Sequence, residues 1–281
     1  MLMCSLVHAQ INVLDDAQRK VTLAQPAKRI VSLAPHVTEL VFAAGAGASL
    51  VGVDSYSDFP ESAKKITDVG SILSLDLERL LTLKPDLVII WGTGNAKILS
   101  QKLRDNQITV FESEPRNYED VASSIERIAM LAGTTEVGNK AALGFRQRLH
   151  SLSKKYQLKI NEKPISVFHQ MIRKPLMTIN QQHIISKAIQ LCGGKNVFAD
   201  LKNISATITT ESVLLNNPEV IFSSDHEVDK LRAEWNNFPI VAAVKKGNFF
   251  VINGDWIHRF GPRILDGTEQ LCQKLDAARK K

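Results

Sequence analysis

Apolar residues along this chain fall into short strand-length runs separated by stretches with helical spacing. Ile11–Leu14 and Lys20–Leu23 flank Asp15-Asp16-Ala17-Gln18, a turn-rich link, and predict an opening hairpin. After Pro26 the rhythm changes. Residues 29–33 are a β-rich run closed by Ala34-Pro35, and residues 38–44 have helical spacing that stops at Gly45 and Gly47. Residues 51–53 and Leu87–Trp91 are further apolar runs with a helical segment, 77–83, between them, and the run at 109–112 follows another helix. This βαβα succession predicts a parallel sheet.

Residues 135–159 form one long polar-rich helical stretch, with Val137, Ala141, Leu143 or Gly144, Arg148, Leu149 and Leu152 spaced for a modestly apolar face. Beyond Lys163-Pro164 the alternation resumes. It gives a strand at Ile165–His169, a helix at Ile184–Leu191 ending in Cys192-Gly193-Gly194, a helix at 211–215, strands at Val220–Ser223 and 249–252, and a closing helix from Arg263. The second half mirrors the first. The expected fold is α/β, with two Rossmann-like lobes, each built on a parallel central sheet, joined by a long backbone helix and enclosing a ligand cleft. The divisions are a residual signal peptide at 1–9, an N-terminal lobe at 10–133, a linking helix at 134–162 and a C-terminal lobe at 163–281. A helical connection is stiff, so little hinge closure is expected.

The repeat is sharpest at one place. Asp76-Leu77-Glu78 runs on to Lys84-Pro85-Asp86-Leu87-Val88-Ile89, and Thr209-Thr210-Glu211 runs on to Asn217-Pro218-Glu219-Val220-Ile221-Phe222. In each copy a capping residue stands two before a glutamate, and a proline follows to open an apolar strand. With Asp76 or Thr209 as N-cap, each glutamate falls in the first helical turn, where unpaired amides and the helix dipole favour a carboxylate by ~0.3–1 kcal/mol. That local reason suffices for either glutamate alone. Their matching offset also suits docking on a two-fold membrane partner that carries paired arginines.

Charge and cysteine content narrow the function classes. The net charge of +6 comes from 35 basic and 29 acidic residues scattered among 281, without a dense basic block interleaved with aromatics, which argues against nucleic acid. No stretch reaches the ~20 consecutive apolar residues that cross a bilayer as a helix. Met1 to Ala9 is apolar and ends in Val7-His8-Ala9, and reads as the tail of a signal peptide. Cys4 lies in that leader, which leaves Cys192 and Cys272; in an oxidising compartment they pair, and otherwise they are two buried thiols.

In the order in which they occur, these motifs resemble the periplasmic vitamin B12-binding proteins of ABC importers, within the helical-backbone class of solute-binding proteins that also serves haem and iron siderophores. The resemblance rests on Arg29-Ile30-Val31-Ser32-Leu33-Ala34-Pro35 with Thr38-Glu39-Leu40, and on Gly52-Val53-Asp54-Ser55-Tyr56-Ser57-Asp58-Phe59-Pro60. It continues through Leu77-Glu78-Arg79, Lys84 to Trp91, and Gly94-Asn95. In the second lobe it takes in Cys192-Gly193-Gly194, Asn196-Val197-Phe198, Glu211, Asp255-Trp256, Arg259, Pro262-Arg263-Ile264 and Gln270-Leu271-Cys272. It implies a disulfide between Cys192 and Cys272, docking on the importer's transmembrane subunits by Glu78 and Glu211, and a periplasmic monomer. It also implies cobalamin, or a related corrinoid, as a transported ligand rather than a catalytic cofactor, with contacts at Tyr56, Trp91, Asp255, Trp256 and Arg259.

Read without the resemblance, Trp91 and Tyr56 are core aromatics, Asp255 is a turn residue and Arg259 is a surface charge. The chain departs from the cobalamin branch at two positions, carrying Leu73 and Ala206 where members of that branch carry tryptophan, which either widens the expected cleft or changes its ligand. His36 and His258 lie in segments expected to end at the cleft; they are either ordinary polar residues near strand ends or axial ligands to haem iron or corrinoid cobalt. The alternatives are therefore a haem- or siderophore-binding protein of the same fold, and an α/β enzyme of two lobes. The enzyme reading finds no Gly-x-Ser-x-Gly elbow, phosphate-binding glycine loop or His-Glu-x-x-His helix in the sequence.

Overall fold

The computed structural model describes residues 10–71, 74–92, 96–224 and 227–281. The chain divides into two compact units, Met1–Arg146 and Gln147–Lys281. The leader at 1–9 lies outside the described residues.

Unit 1 opens with the antiparallel hairpin of β1 (Ile11–Leu14) and β2 (Lys20–Leu23). There follow β3 (Ile30–Ser32), α1 (Pro35–Ala43), β4 (Leu50–Val53), α2 (Leu77–Thr82), β5 (Leu87–Trp91), α3 (Ala96–Asp105), β6 (Val110–Ser113) and α4 (Tyr118–Ala132). The sheet order is β4-β3-β5-β6, parallel throughout. Strands covered on both faces read as unbroken apolar runs, and Leu87, Val88, Ile89 and Ile90 are all buried. Arg127 of α4 ties down the hairpin, donating to the Leu14 carbonyl at 2.8 Å and to the Asp16 carboxylate at 2.6 Å.

The long helix α5 (Thr135–Tyr156) crosses the boundary between the units. Its buried positions are Gly138, Ala142, Phe145 and Leu152, with Leu149 half-buried, whereas Val137 and Leu143 of the expected stripe are exposed. The observed face follows steps of four and three residues, as a 3.6-residue turn requires. Gly138 is needed because Ala129 of α4 leaves no room for a Cβ.

Unit 2 contains β7 (Ile165–His169), β8 (Met177–Ile179), α6 (Ile184–Leu191), β9 (Gly194–Asn196), β10 (Ser205–Thr207), α7 (Thr210–Asn216) and β11 (Val220–Ser223). It closes with α8 (Val228–Trp235), α9 (Ala242–Lys246), β12 (Phe249–Val251), α10 (Gly254–Ile257) and α11 (Ile264–Arg279). Its parallel sheet runs β12-β11-β7-β9, and β8 and β10 form a separate antiparallel ribbon. Phe168, Ile221, Trp235 and Val241 pack its core, each worth about 1.5–3 kcal/mol of burial. Cys192, at the end of α6, is disulfide-bonded to Cys272 of α11, and both are fully buried. Gly193 then turns the chain into β9 at φ +70°, a conformation that other residues rarely adopt.

Counted in chain order, the sheet strands of either unit lie in the order second, first, third, fourth. The duplication seen in the sequence is thus a duplication of topology, and it extends to the backbone. Lys84 and Asn217 both take positive φ, +45° and +42°, immediately before the proline that leads into the third strand. The acid after each proline then braces the first strand of its sheet. Asp86 accepts from the backbone N–H of Lys28 at 2.8 Å, and Glu219 accepts from that of Ser166 at 3.1 Å.

Candidate functional site at the strand ends

In open α/β sheets, ligands bind beyond the carboxyl ends of the strands, where the strand order reverses. That point lies between β3 and β5 in unit 1 and between β7 and β11 in unit 2. Both places carry histidine and aromatic side chains.

In unit 1, α1 follows β3 directly and buries His36 in its first turn, at 5% exposure. Trp91 ends β5 and meets His36 edge-on, with ring centroids 5.7 Å apart. His36 Nε2 and Trp91 Nε1 are buried without a hydrogen-bond partner. Such orphaned polar atoms cost free energy unless something else satisfies them. Burial lowers the His36 pKa to about 4, so its imidazole is neutral and one ring nitrogen is free to accept or ligate. Tyr56 follows β4; its N–H donates to Asp54 Oδ1 at 2.9 Å, and the residue is 68% exposed. Behind these groups, Ser32, Thr38 and Ser57 form a buried hydroxyl chain with oxygen separations of 2.5 and 2.7 Å. It fixes the start of α1 against the loop that bears Tyr56.

In unit 2, Asn253 caps α10 by accepting from the Trp256 N–H at 3.2 Å. This sets Asp255, Trp256, His258 and Arg259 beyond the end of β12. Arg259 pairs with Asp255 at 2.9 Å, and His258 Nε2 is hydrogen-bonded to Ser224 Oγ, just after β11. Ser224, Asn253, Asp255, His258 and Arg259 line one shallow depression. Trp256 is half-buried on the same short helix.

Sequence reasoning passed over His169 and His183. His169 ends β7 fully buried, stacked on Phe222 at 4.5 Å and 5.8 Å from the His258 ring, and neither of its ring nitrogens has a partner. Burial, reinforced by His258 and His183, holds its pKa well below the ordinary range. His183 caps α6 with Nδ1, which accepts from the Ile185 N–H at 3.2 Å, and burial followed by the His258 charge lowers its pKa to about 4. A polar residue closing an apolar strand was the available signal for His169; nothing local marked His183.

Ala206 is not part of either group. It lies half-buried on the β8–β10 ribbon, opposite Thr178. Leu73 lies outside the described residues. Among the described residues, no group of three or more His, Cys, Asp or Glu side chains is arranged to hold a metal ion.

Glu78 and Glu211 are both exposed in the first turn of their helices, two residues after the N-caps Asp76 and Thr209. Each cap accepts from a backbone N–H, that of Arg79 at 2.9 Å and that of Ser212 at 3.2 Å. The Glu211 carboxyl is held below its ordinary range by its own backbone N–H and then by the Thr209 hydroxyl.

The profile of the periplasmic binding protein family matches residues 30–255. The vitamin B12-binding protein of Vibrio cholerae serotype O1 is 40% identical over 256 residues, covering 91% of each chain. The crystal structure of the periplasmic vitamin B12-binding protein of Vibrio cholerae superposes with a TM-score of 0.82 at 39% identity, covering 91% of this chain and 99% of that one. The periplasmic heme-binding protein of Vibrio cholerae is more distant, with a TM-score of 0.74 at 26% identity over 87% of this chain and 97% of that one. With matches of this extent in sequence and in fold, the chain belongs to the periplasmic binding protein family and groups there with the vitamin B12-binding proteins.

Proposed function

We propose that this chain is a periplasmic receptor that captures cobalamin or a related corrinoid and delivers it, without chemical change, to the transmembrane subunits of an inner-membrane ABC importer. The observation that carries this reading is the 40% identity to a vitamin B12-binding protein over 91% of both chains. The strand-end groups support it. Aromatic faces at Trp91, Tyr56 and Trp256 suit a flat macrocycle, and the polar groups of Asp255, His258 and Arg259 suit its amide rim. Glu78 and Glu211, exposed at equivalent places in the two units, are the docking carboxylates.

A second reading has its own support in His36. A buried, neutral imidazole with an unpartnered Nε2 suits axial ligation of haem. Titration of the purified protein with cyanocobalamin and with hemin separates the two. The expected result is saturable, calorimetrically measured binding of cyanocobalamin, weakened about tenfold or more by Trp91→Ala. A hemin Soret band that is lost on His36→Ala, with no heat from cyanocobalamin, would replace the corrinoid reading with the haem one.

A further inference from the structure

The repeated helices α2 and α7 share a burial pattern, except that Arg79 is exposed where Ser212 is half-buried. Leu80 and Val213 are buried, Leu81 and Leu214 are half-buried against their cores, and Thr82 and Leu215 point outward. Their chemistry parts on the outward face. In α2, Glu78 is followed by Arg79, and one turn on stands Thr82, whose hydroxyl donates to the Arg79 carbonyl at 2.7 Å. In α7, Glu211 is followed by Ser212, and one turn on stands Leu215, 87% exposed. Residues four apart on a helix share a face, so a carboxylate and an isobutyl group sit side by side on α7.

A second exposed apolar side chain lies on a loop that is tied to the end of α7. Asn217, at the end of α7, accepts from the Ala242 N–H at 2.8 Å, which ties the helix to the loop that carries Ile240, 67% exposed. Single exposed apolar residues are common on any surface. Here Leu215 shares a helix face with a carboxylate whose counterpart in unit 1, Glu78, is followed by Arg79 and shares its face with Thr82.

Resting on the docking role given above to Glu78 and Glu211, we infer that the two contacts with the importer are chemically unequal. The unit 2 contact is the stronger: Leu215 seats in an apolar recess of the transmembrane subunit next to the basic residue that pairs with Glu211. The occupant follows from the charge and apolarity side by side. An apolar anchor inside a polar rim supplies holding strength, and the carboxylate supplies orientation. The unit 1 contact, with Arg79 next to Glu78, carries charge of both signs and is the weaker.

Binding of the corrinoid-loaded protein to a vitamin B12 ABC importer in lipid nanodiscs tests this, with cyanocobalamin affinity measured in parallel. Leu215→Ser is expected to weaken docking about tenfold or more, from the loss of one buried leucine side chain, and to leave cyanocobalamin affinity and circular dichroism unchanged. Leu215→Met is expected to restore docking, and Thr82→Ala to change it less than about twofold. If Leu215→Ser docks like the parent protein while Glu211→Lys does not, the unequal-contact inference falls and the docking role stands. If Glu78→Lys and Glu211→Lys together dock like the parent protein, the docking role itself falls and takes the inference with it.

Discussion

Both units fasten their outer layers with ion pairs, and unit 2 adds a covalent bond. In unit 1, Arg127 grips Asp16 at the hairpin, Glu112 takes both Arg19 and Arg104, and Arg146 of α5 takes Glu119 and Glu126 of α4. In unit 2 the disulfide joins α6 to α11, and the buried His169 occupies the place that in unit 1 is held by His36 and Trp91. The same strand order therefore does not demand the same interior. What both units share is a short grammar of cap, exposed glutamate, left-handed residue, proline and bracing acid, which fixes where the third strand starts. Around that grammar the strand order is kept and the side chains have diverged.

Removing the disulfide with Cys192→Ala and Cys272→Ala should have the largest effect. The crosslink spans 80 residues, and a loop of that size is worth about 4 kcal/mol to the folded state. Amide exchange read by mass spectrometry should show the loss in unit 2, with unit 1 nearly unchanged; equal loss in both units would break the comparison.

Acid should also separate the units. His169 and His183 in unit 2, and His36 in unit 1, are held neutral by burial below the ordinary pKa of 6.5. The unfolded chain protonates them first, so stability is intact above pH 6.5 and falls as pH drops toward about 4. His36 costs roughly 2–3 kcal/mol by about pH 4.5, and in unit 2 His169 and His183 both add to the loss. Unit 2 should therefore lose exchange protection at a higher pH than unit 1, and His169→Phe should bring the two closer. Identical acid profiles before and after that substitution would show that other groups set the slope.

The smallest effect tests what the units share. Asp76→Ala and Thr209→Ala each remove a helix cap, at about 1 kcal/mol. Matching losses in chemical denaturation would sharpen the repeat, and a loss confined to one substitution would mean that only one cap bears load.

Strands buried on both faces were legible to the residue, because Leu87–Trp91, Ile165–His169 and Val220–Ser223 are predominantly apolar runs of strand length. The Cys192–Cys272 pairing is present as the resemblance implied. Helix α1 starts earlier than its apolar spacing suggested, since Pro35 fits a first turn that needs no N–H. The ribbon of β8 and β10 left no mark: three residues each, they are strands only because they pair with one another. The site was legible by residue type but not by contact. Trp91 could be singled out, but its edge-on meeting with His36 depends on two strands becoming neighbours in the sheet. His169 likewise gains its meaning from Phe222 and His258, which other strands and loops deliver. Glu78 and Glu211 were the most legible of all, because cap, helix and proline are local signals.

The disulfide also sets a timetable. Cys192 has no partner until the chain has emerged through Cys272, whereas every ion pair of unit 1 lies within the first 146 residues. One half of the molecule can thus mature as it appears, and the other waits for an oxidant and for its own last helix.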